Sequence, residues 1–159
     1  MWKKVFLFTA VVLFWAVSVF GATPGSVVQS MAGYGPNVQV VKFVCTSGDA
    51  GAIPSTAIST SYINTLIAGG YYLYNVKAYP TPGGTAPDAA DITVTMNGLD
   101  LLGGKGASLL HATATQDTFP YSTVMSSWRY PLVNNTITVA LANHSTNTAH
   151  FTFEFVFAK

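Results

Sequence analysis

Charged residues are scarce in this sequence: Lys, Arg, Asp and Glu together make up 8% of its 159 residues, where soluble domains carry about 25%. Half of the residues are hydrophobic, which is the reverse of the composition of a disordered chain. From Thr23 onward, five basic and six acidic residues are scattered without a cluster of either sign. The lack of a basic patch excludes a nucleic-acid binder that works through charge.

Cysteine is nearly absent, since Cys45 stands alone. A single cysteine excludes an intramolecular disulfide framework and a zinc site built from cysteines. Cys45 lies among strand-forming apolar residues, so we expect it to be a small buried side chain.

Motifs that carry chemistry are missing too. There is no Gly-x-Ser-x-Gly elbow, and the glycine-rich residues 98–106 lack the Gly-Lys-Ser/Thr end of a phosphate loop. The three histidines show no short metal-binding spacing, and Glu154 is the only Glu. We therefore expect no catalytic residues, no metal and no cofactor. Asp91, Asp100 and Asp117 could form part of a calcium site, but no calcium-loop motif is present, so we expect them to cap turns.

The sequence does contain an apolar leader. Lys3 and Lys4 form a short positive region, and residues 5–20 are mostly apolar and end among small residues. This pattern predicts a signal peptide at 1–21 and a single domain at 22–159. An uncleaved anchor is the alternative, although 16 helical residues span about 24 Å and the hydrocarbon core is about 30 Å thick. Export would place the domain in the periplasm, in the medium or on the cell surface.

Apolar and polar residues alternate with period two in four segments, which is typical of half-buried strands. The apolar positions are Tyr72, Tyr74, Val76 and Ala78; Ile92, Val94 and Met96; Ile137, Val139 and Leu141; and Phe151, Phe153, Phe155 and Phe157. Residues 38–45 are also strand-like, but their alternation slips between Val40 and Val41, which predicts a bulge or burial on both faces.

Turn residues separate these segments, and Asn97-Gly98 is the strongest hairpin signal. Residues 58–67 fit a short helix or an irregular loop equally well. No internal repeat or linker is visible. Many short strands with frequent turns predict an all-β fold, an antiparallel β-sandwich or jelly roll in one domain.

Aromatic residues supply the candidate contact site. Tyr121, Trp128 and Tyr130 lie close together in a segment bounded by prolines. Exposed aromatic rings of this kind stack on sugars or anchor a protein partner. The alternative is that Trp128 belongs to the core.

A longer pattern resembles a group of small β-sandwich virion structural proteins of tailed phages and prophages, of the decoration or tail-associated type. It comprises GYYLYNVKAYP at residues 70–80, DITVT at 91–95 and GLDLLGG at 98–104, followed by a closing strand pair and a final apolar strand. The resemblance covers roughly residues 70–157. It implies a non-enzymatic structural bacteriophage protein, whereas the leader is not typical of a subunit that assembles in the cytoplasm.

Two functions follow as hypotheses. The first is a structural protein of a phage-like virion or surface assembly, whose partners are other copies of itself or a capsid or tail lattice. The second is a secreted carbohydrate-binding or adhesion module. We expect membrane contact only through the leader during export. The first hypothesis predicts flat, uncharged outer faces for packing, at Thr93, Thr95, Thr136, Thr138 and Thr152.

Overall fold

The computed structural model describes residues 23–121, 132 and 136–159. About 47% of the described residues are in strands, with one α-helix among them, so the expected all-β class is confirmed. The predicted signal peptide at 1–21 lies outside the described residues. Within the described part of the chain, no helix has both the length and the apolar character needed to cross a membrane.

The described residues contain nine strands, one α-helix and one short 3-10 helix at Asp49–Gly51. The strands and the α-helix are β1 (Ser26–Gly33), β2 (Val38–Thr46), β3 (Thr56–Ala57), α1 (Thr60–Ala68), β4 (Tyr72–Pro80), β5 (Asp91–Met96), β6 (Leu99–Asp100), β7 (Gln116–Thr118), β8 (Ile137–Ala142) and β9 (His150–Ala158).

The strands β1, β2, β9, β4 and β7 lie side by side in that order, each antiparallel to its neighbours, and form what is called here the larger sheet. The last strand of the chain, β9, lies at its centre between β2 and β4. The four phenylalanines of β9 are all buried, as the alternation predicts. The ring of Phe155 meets that of Phe43 on β2 edge to face, with centroids 5.1 Å apart.

The strands β3, β8, β5 and β6 form the smaller sheet, which is also antiparallel. The alternation of β5 and β8 is confirmed, because the positions predicted to face inward are buried apart from the half-buried Leu141. Asn97 and Gly98 join β5 to β6 with φ of 52° and 77°. Positive φ at both central residues defines the hairpin turn that Asn-Gly favours.

The predicted assignment of side chains to the core face of β4 is wrong in the first residues of this strand. Strict alternation places Tyr74 with Val76 and Ala78, but the pairing of β4 with β9 slips between Leu73 and Asn75. This bulge inserts one extra residue, so Leu73 is buried while Tyr74 is 48% exposed. Asn75 is buried beside it, and its Nδ2 donates to Asp117 Oδ2 at 3.0 Å.

The sequence predicts one of two causes for the slipped alternation of β2, a bulge or burial on both faces, and the structure shows the second. β2 pairs without a break with both β1 and β9, so the bulge predicted there is wrong. Val41, Phe43 and Cys45 are buried on one face, while Val40 is half-buried on the other. Partial burial of both faces therefore explains the pattern.

The core contains buried residues of both sheets in one hydrophobic cluster. Phe43 and Phe153 of the larger sheet line a small cavity together with Val139 and Leu141 of the smaller sheet. Of the two predictions for residues 58–67, the helix is right, and α1 buries Ile63 and Leu66 in the same cluster.

Candidate functional site: the outer faces of the two sheets

Of the three predicted aromatic contact residues, only Tyr121 is described; Trp128 and Tyr130 lie outside the described residues. The Nζ of Lys105 lies 4.4 Å from the centroid of the Tyr121 ring. The Tyr121 backbone N–H donates to the Leu101 carbonyl at 2.9 Å. One face of the Tyr121 ring is thus already in contact with a cation, and the ring is half-buried.

A different aromatic pair is exposed on the larger sheet. Tyr74, in the bulge of β4, and Phe119, just after β7, are 48% and 42% exposed. Their rings meet edge to face with centroids 5.5 Å apart. Sequence reasoning missed this pair because alternation assigned Tyr74 to the core. The neighbouring residues Tyr72 and Leu73 gave no sign of the bulge, since tyrosine and leucine both occur on the core side and on the solvent side of strands.

The outer face of the larger sheet carries a row of alternating charge. Lys42, Glu154, Lys77 and Asp117 are direct cross-strand partners on β2, β9, β4 and β7. The Tyr79 hydroxyl donates to Glu154 Oε1 at 2.7 Å. Burial, together with this hydrogen bond, raises the pKa of Tyr79 to about 12. Fixed charges of both signs therefore cross the middle of this face.

The outer face of the smaller sheet carries a patch of short uncharged side chains, with Asp91 and Asp100 beside it. Thr95 pairs with Thr138, which pairs with Ala57, and Thr93 pairs with Ala140 in the next row. We call these five residues the threonine face. All five are exposed or half-exposed, and none is charged. This arrangement agrees with the predicted position of Thr93, Thr95 and Thr138.

The other two threonines expected on an outer face differ. Thr136 is exposed and lies just before β8. Thr152 is only 2% exposed, so the prediction is wrong for this residue. It lies on β9 opposite Tyr79 of β4 and Val44 of β2, and its Oγ1 is 3.2 Å from that of Thr81. Its central position in the larger sheet lets these neighbours cover it.

Asp91 and Asp100 lie at the margins of the threonine face. Asp100 caps its own turn as the sequence predicts, whereas Asp91 bonds to two distant loops. The turn-capping prediction is wrong for Asp117, which lies in β7 and accepts from Asn75 across the strand pair. Asp91 accepts hydrogen bonds from the Ser108 N–H at 2.7 Å and from Asn143 Nδ2 at 2.6 Å. Asp100 accepts from the N–H groups of Leu102 and Gly104 at 3.0 and 2.8 Å. These contacts engage the only carboxylates beside the threonine face among the described residues. Asp100 holds its own loop, and Asp91 holds the loops of Ser108 and Asn143.

The fold also brings together a Ser, a His and an Asp. Ser145 donates from Oγ and from N–H to Asp88 Oδ2, at 2.5 and 3.0 Å. The buried His144 places Nδ1 3.0 Å from the Gly51 carbonyl and Nε2 3.0 Å from Asp88 Oδ1, the latter without hydrogen-bond geometry. A nucleophilic serine needs its hydroxyl on the imidazole. Here the hydroxyl proton goes to the carboxylate, and the cluster joins three loops.

The described residues contain no group of three or more His, Cys, Asp or Glu side chains placed to hold a metal ion. The fold defines the chain as an all-β protein of two antiparallel sheets. No family model, curated protein or solved structure matches it.

Proposed function

We propose that this chain is a non-enzymatic structural subunit of a phage-like virion or of a surface assembly, and that it acts through packing and self-association. In this proposal the two sheets pack face to face as a β-sandwich, which exposes one outer face of each. The threonine face is the observation that carries the proposal. The resemblance of residues 70–157 to virion proteins of tailed phages supports it.

The threonine face has the physical properties of a packing surface. Identical copies that associate through this face bring identical surfaces together. An uncharged face then carries no like-charge repulsion between copies. Thr and Ala have short side chains, so ordering them in an interface costs little conformational entropy. Charged residues are depleted from the cores of interfaces because burial removes their hydration. The larger sheet, with its row of four charges, is the less suitable outer face.

A single added charge tests this role. Thr93 is exposed on the threonine face, opposite Ala140, so T93K should abolish association with a capsid or tail lattice without changing the circular dichroism spectrum or the melting temperature. The matched control is N37K, which adds the same charge at an exposed turn outside this face. Co-sedimentation of the purified chain with candidate lattices is the measurement. A parent chain that ignores every such lattice and every other copy of itself would contradict the proposal.

A second function is favoured by the exposed pair of Tyr74 and Phe119, namely a secreted carbohydrate-binding or adhesion module. Exposed aromatic rings stack on the apolar faces of sugars. Titration with polysaccharides, followed by the intrinsic fluorescence, tests this alternative. F119A should then weaken binding about tenfold or more, while T93K should leave it unchanged. Polysaccharide binding by a strictly monomeric chain would replace the structural role with this one.

A further inference from the structure

The two sheets differ in how their edges end. Among the described residues, the smaller sheet ends in β3 and β6, of two residues each, and the larger sheet ends on one side in β7, of three. Very short edge strands offer few free backbone groups, which is one way in which proteins prevent unwanted pairing. The other edge of the larger sheet is β1, which is eight residues long.

The backbone groups at the open side of β1 follow from its pairing with β2. The Tyr34 N–H donates to the Val38 carbonyl at 2.9 Å, and the same antiparallel register continues from Gly33 to Ser26. Residues of even number therefore face β2 with both N–H and C=O. The backbone N–H and C=O groups of Val27, Gln29, Met31 and Gly33 point to the open side of β1, where no strand of the described residues lies.

The usual devices that block an edge are missing from β1. Its sequence, SVVQSMAG, contains no charged residue and no proline, and its register with β2 shows no bulge. The longest polar side chain, that of Gln29, is engaged within the molecule. Its Nε2 donates to the Ala57 carbonyl at 2.7 Å, and its Oε1 accepts from the Ser59 N–H at 2.9 Å.

We propose that β1 pairs antiparallel with β1 of a second copy of this chain, about a two-fold axis at Ser30. The pairing deepens the proposed self-association and rests on it, but it uses a different surface from the threonine face. The four residues whose backbone groups point to the open side all form hydrogen bonds in this register. Val27 pairs with Gly33 of the other copy and Gln29 with Met31, which forms about eight backbone hydrogen bonds.

The side chains of β1 are complementary in this register. Val28, which is 66% exposed, lies opposite Ala32 of the second copy, so a large side chain meets a small one on each side of the axis. Ser30 lies opposite itself, and two serines carry no repulsion. The two-fold axis forms the contact between Val28 and Ala32 twice, once on each side of the axis. A strand of an unrelated protein would lack this match. A second copy is therefore the occupant that the geometry favours.

Disulfide trapping tests the register. Ser30 and its copy form a non-hydrogen-bonded pair, with Cα atoms about 4.5 Å apart, within the range that a disulfide spans. S30C in the full chain should therefore form a covalent dimer under mild oxidation. The matched control is S26C, exposed on the same strand and face, whose copy would lie about 27 Å away. Cys45 is buried and its pKa is raised to about 12 by that burial, so it does not compete. Equal trapping at both positions, or at neither, would overturn the proposal.

A charge exchange tests the same axis without oxidation. S30K places like charges opposite one another and beside Lys42, the cross-strand partner of Ser30 on β2. It should weaken the dimer about fivefold or more, whereas an equimolar mixture with S30D should restore it as a heterodimer. Sedimentation velocity reads out both results. T93K should leave this dimer intact, so failure of the edge pairing and failure of the threonine face are separate outcomes. Failure of the mixture to restore the dimer would overturn the proposal.

Hydrogen exchange identifies the occupant. In the parent chain, the amides of Val27, Gln29, Met31 and Gly33 should exchange slowly at high concentration and faster on dilution. Slow exchange that is independent of concentration would show that another segment of the same chain covers β1. Protection that appears only when another protein is added would assign the edge to that protein. Either result would overturn pairing with a second copy.

Discussion

Phe155 illustrates how much of the stability rests on single side chains of β9. It is fully buried and meets Phe43 edge to face. Removing a buried phenylalanine leaves a cavity, so F155A should lower the free energy of unfolding by about 3–5 kcal/mol, from a typical total of about 5–15 kcal/mol. Urea denaturation measures the change. F119A, which truncates a ring that is 42% exposed, is the control and should cost far less; equal losses would contradict the assignment of Phe155 to the core.

Asp88 should make the stability depend on pH. Burial by itself raises the pKa of this carboxyl. The hydrogen bonds from Ser145 and the nearby His144 lower the pKa by more than burial raises it, so the pKa lies below its ordinary value. A group with a lowered pKa stabilises the fold above its unfolded pKa of about 3.9, and this contribution is lost as the pH falls through the folded pKa.

D88N should therefore be less stable than the parent at pH 7, and the difference should shrink as the pH falls below about 4. Urea denaturation of both proteins at several pH values measures this. A difference that stays constant across the pH range would show that Asp88 does not contribute through its charge.

At the scale of the element, the bulge of β4 is the feature with the clearest test. Its extra residue lies between Leu73 and Asn75, and the pairing with β9 is regular on both sides. Deleting Tyr74 should therefore restore one continuous register and leave the chain folded. Deleting Lys77, from the regular part of β4, should instead shift one part of the strand to the opposite face and lower the melting temperature strongly. Equal effects of the two deletions would be evidence against a bulge at Tyr74.

Elements differ in how far the sequence predicts them. The strands β5, β8 and β9 follow from alternation alone, because the large apolar residues of each recur with period two. The hairpin at Asn97 and Gly98 follows from the conformations that these residues tolerate. The face of Tyr74 does not follow, because a bulge is stabilised by the buried Asn75 and its contact with Asp117, which is 42 residues away. Local patterns carry no information about a partner at that distance.

For the whole molecule, β9 is the strand that joins the two parts of the larger sheet. It pairs along its length with β2 on one side and with β4 on the other, and it brings four buried phenylalanines. A chain that ends at His150 should therefore fail to fold, as measured by circular dichroism and by the absence of a cooperative transition.

Removing Lys159 alone is the control for that truncation. Its N–H donates to the Asn37 carbonyl at 3.2 Å, and its Nζ lies 4.8 Å from the Tyr71 ring centroid. Both contacts are at the surface, so their loss should change the melting temperature little. A truncated chain without β9 that still unfolds cooperatively near the parent temperature would refute the central role of this strand.

The sequence by itself determined the all-β class, the inward faces of β5, β8 and β9, the burial of Cys45 and the neutral composition of the threonine face. Each of these depends on residue type and on a period of two residues, which are local properties. Only the tertiary structure decided that β9 is central, that β1 is a long open edge, that Tyr74 and Phe119 meet at the surface and that Thr152 is covered. These features depend on which strands become neighbours, and strand order is set by long-range packing that no short segment records.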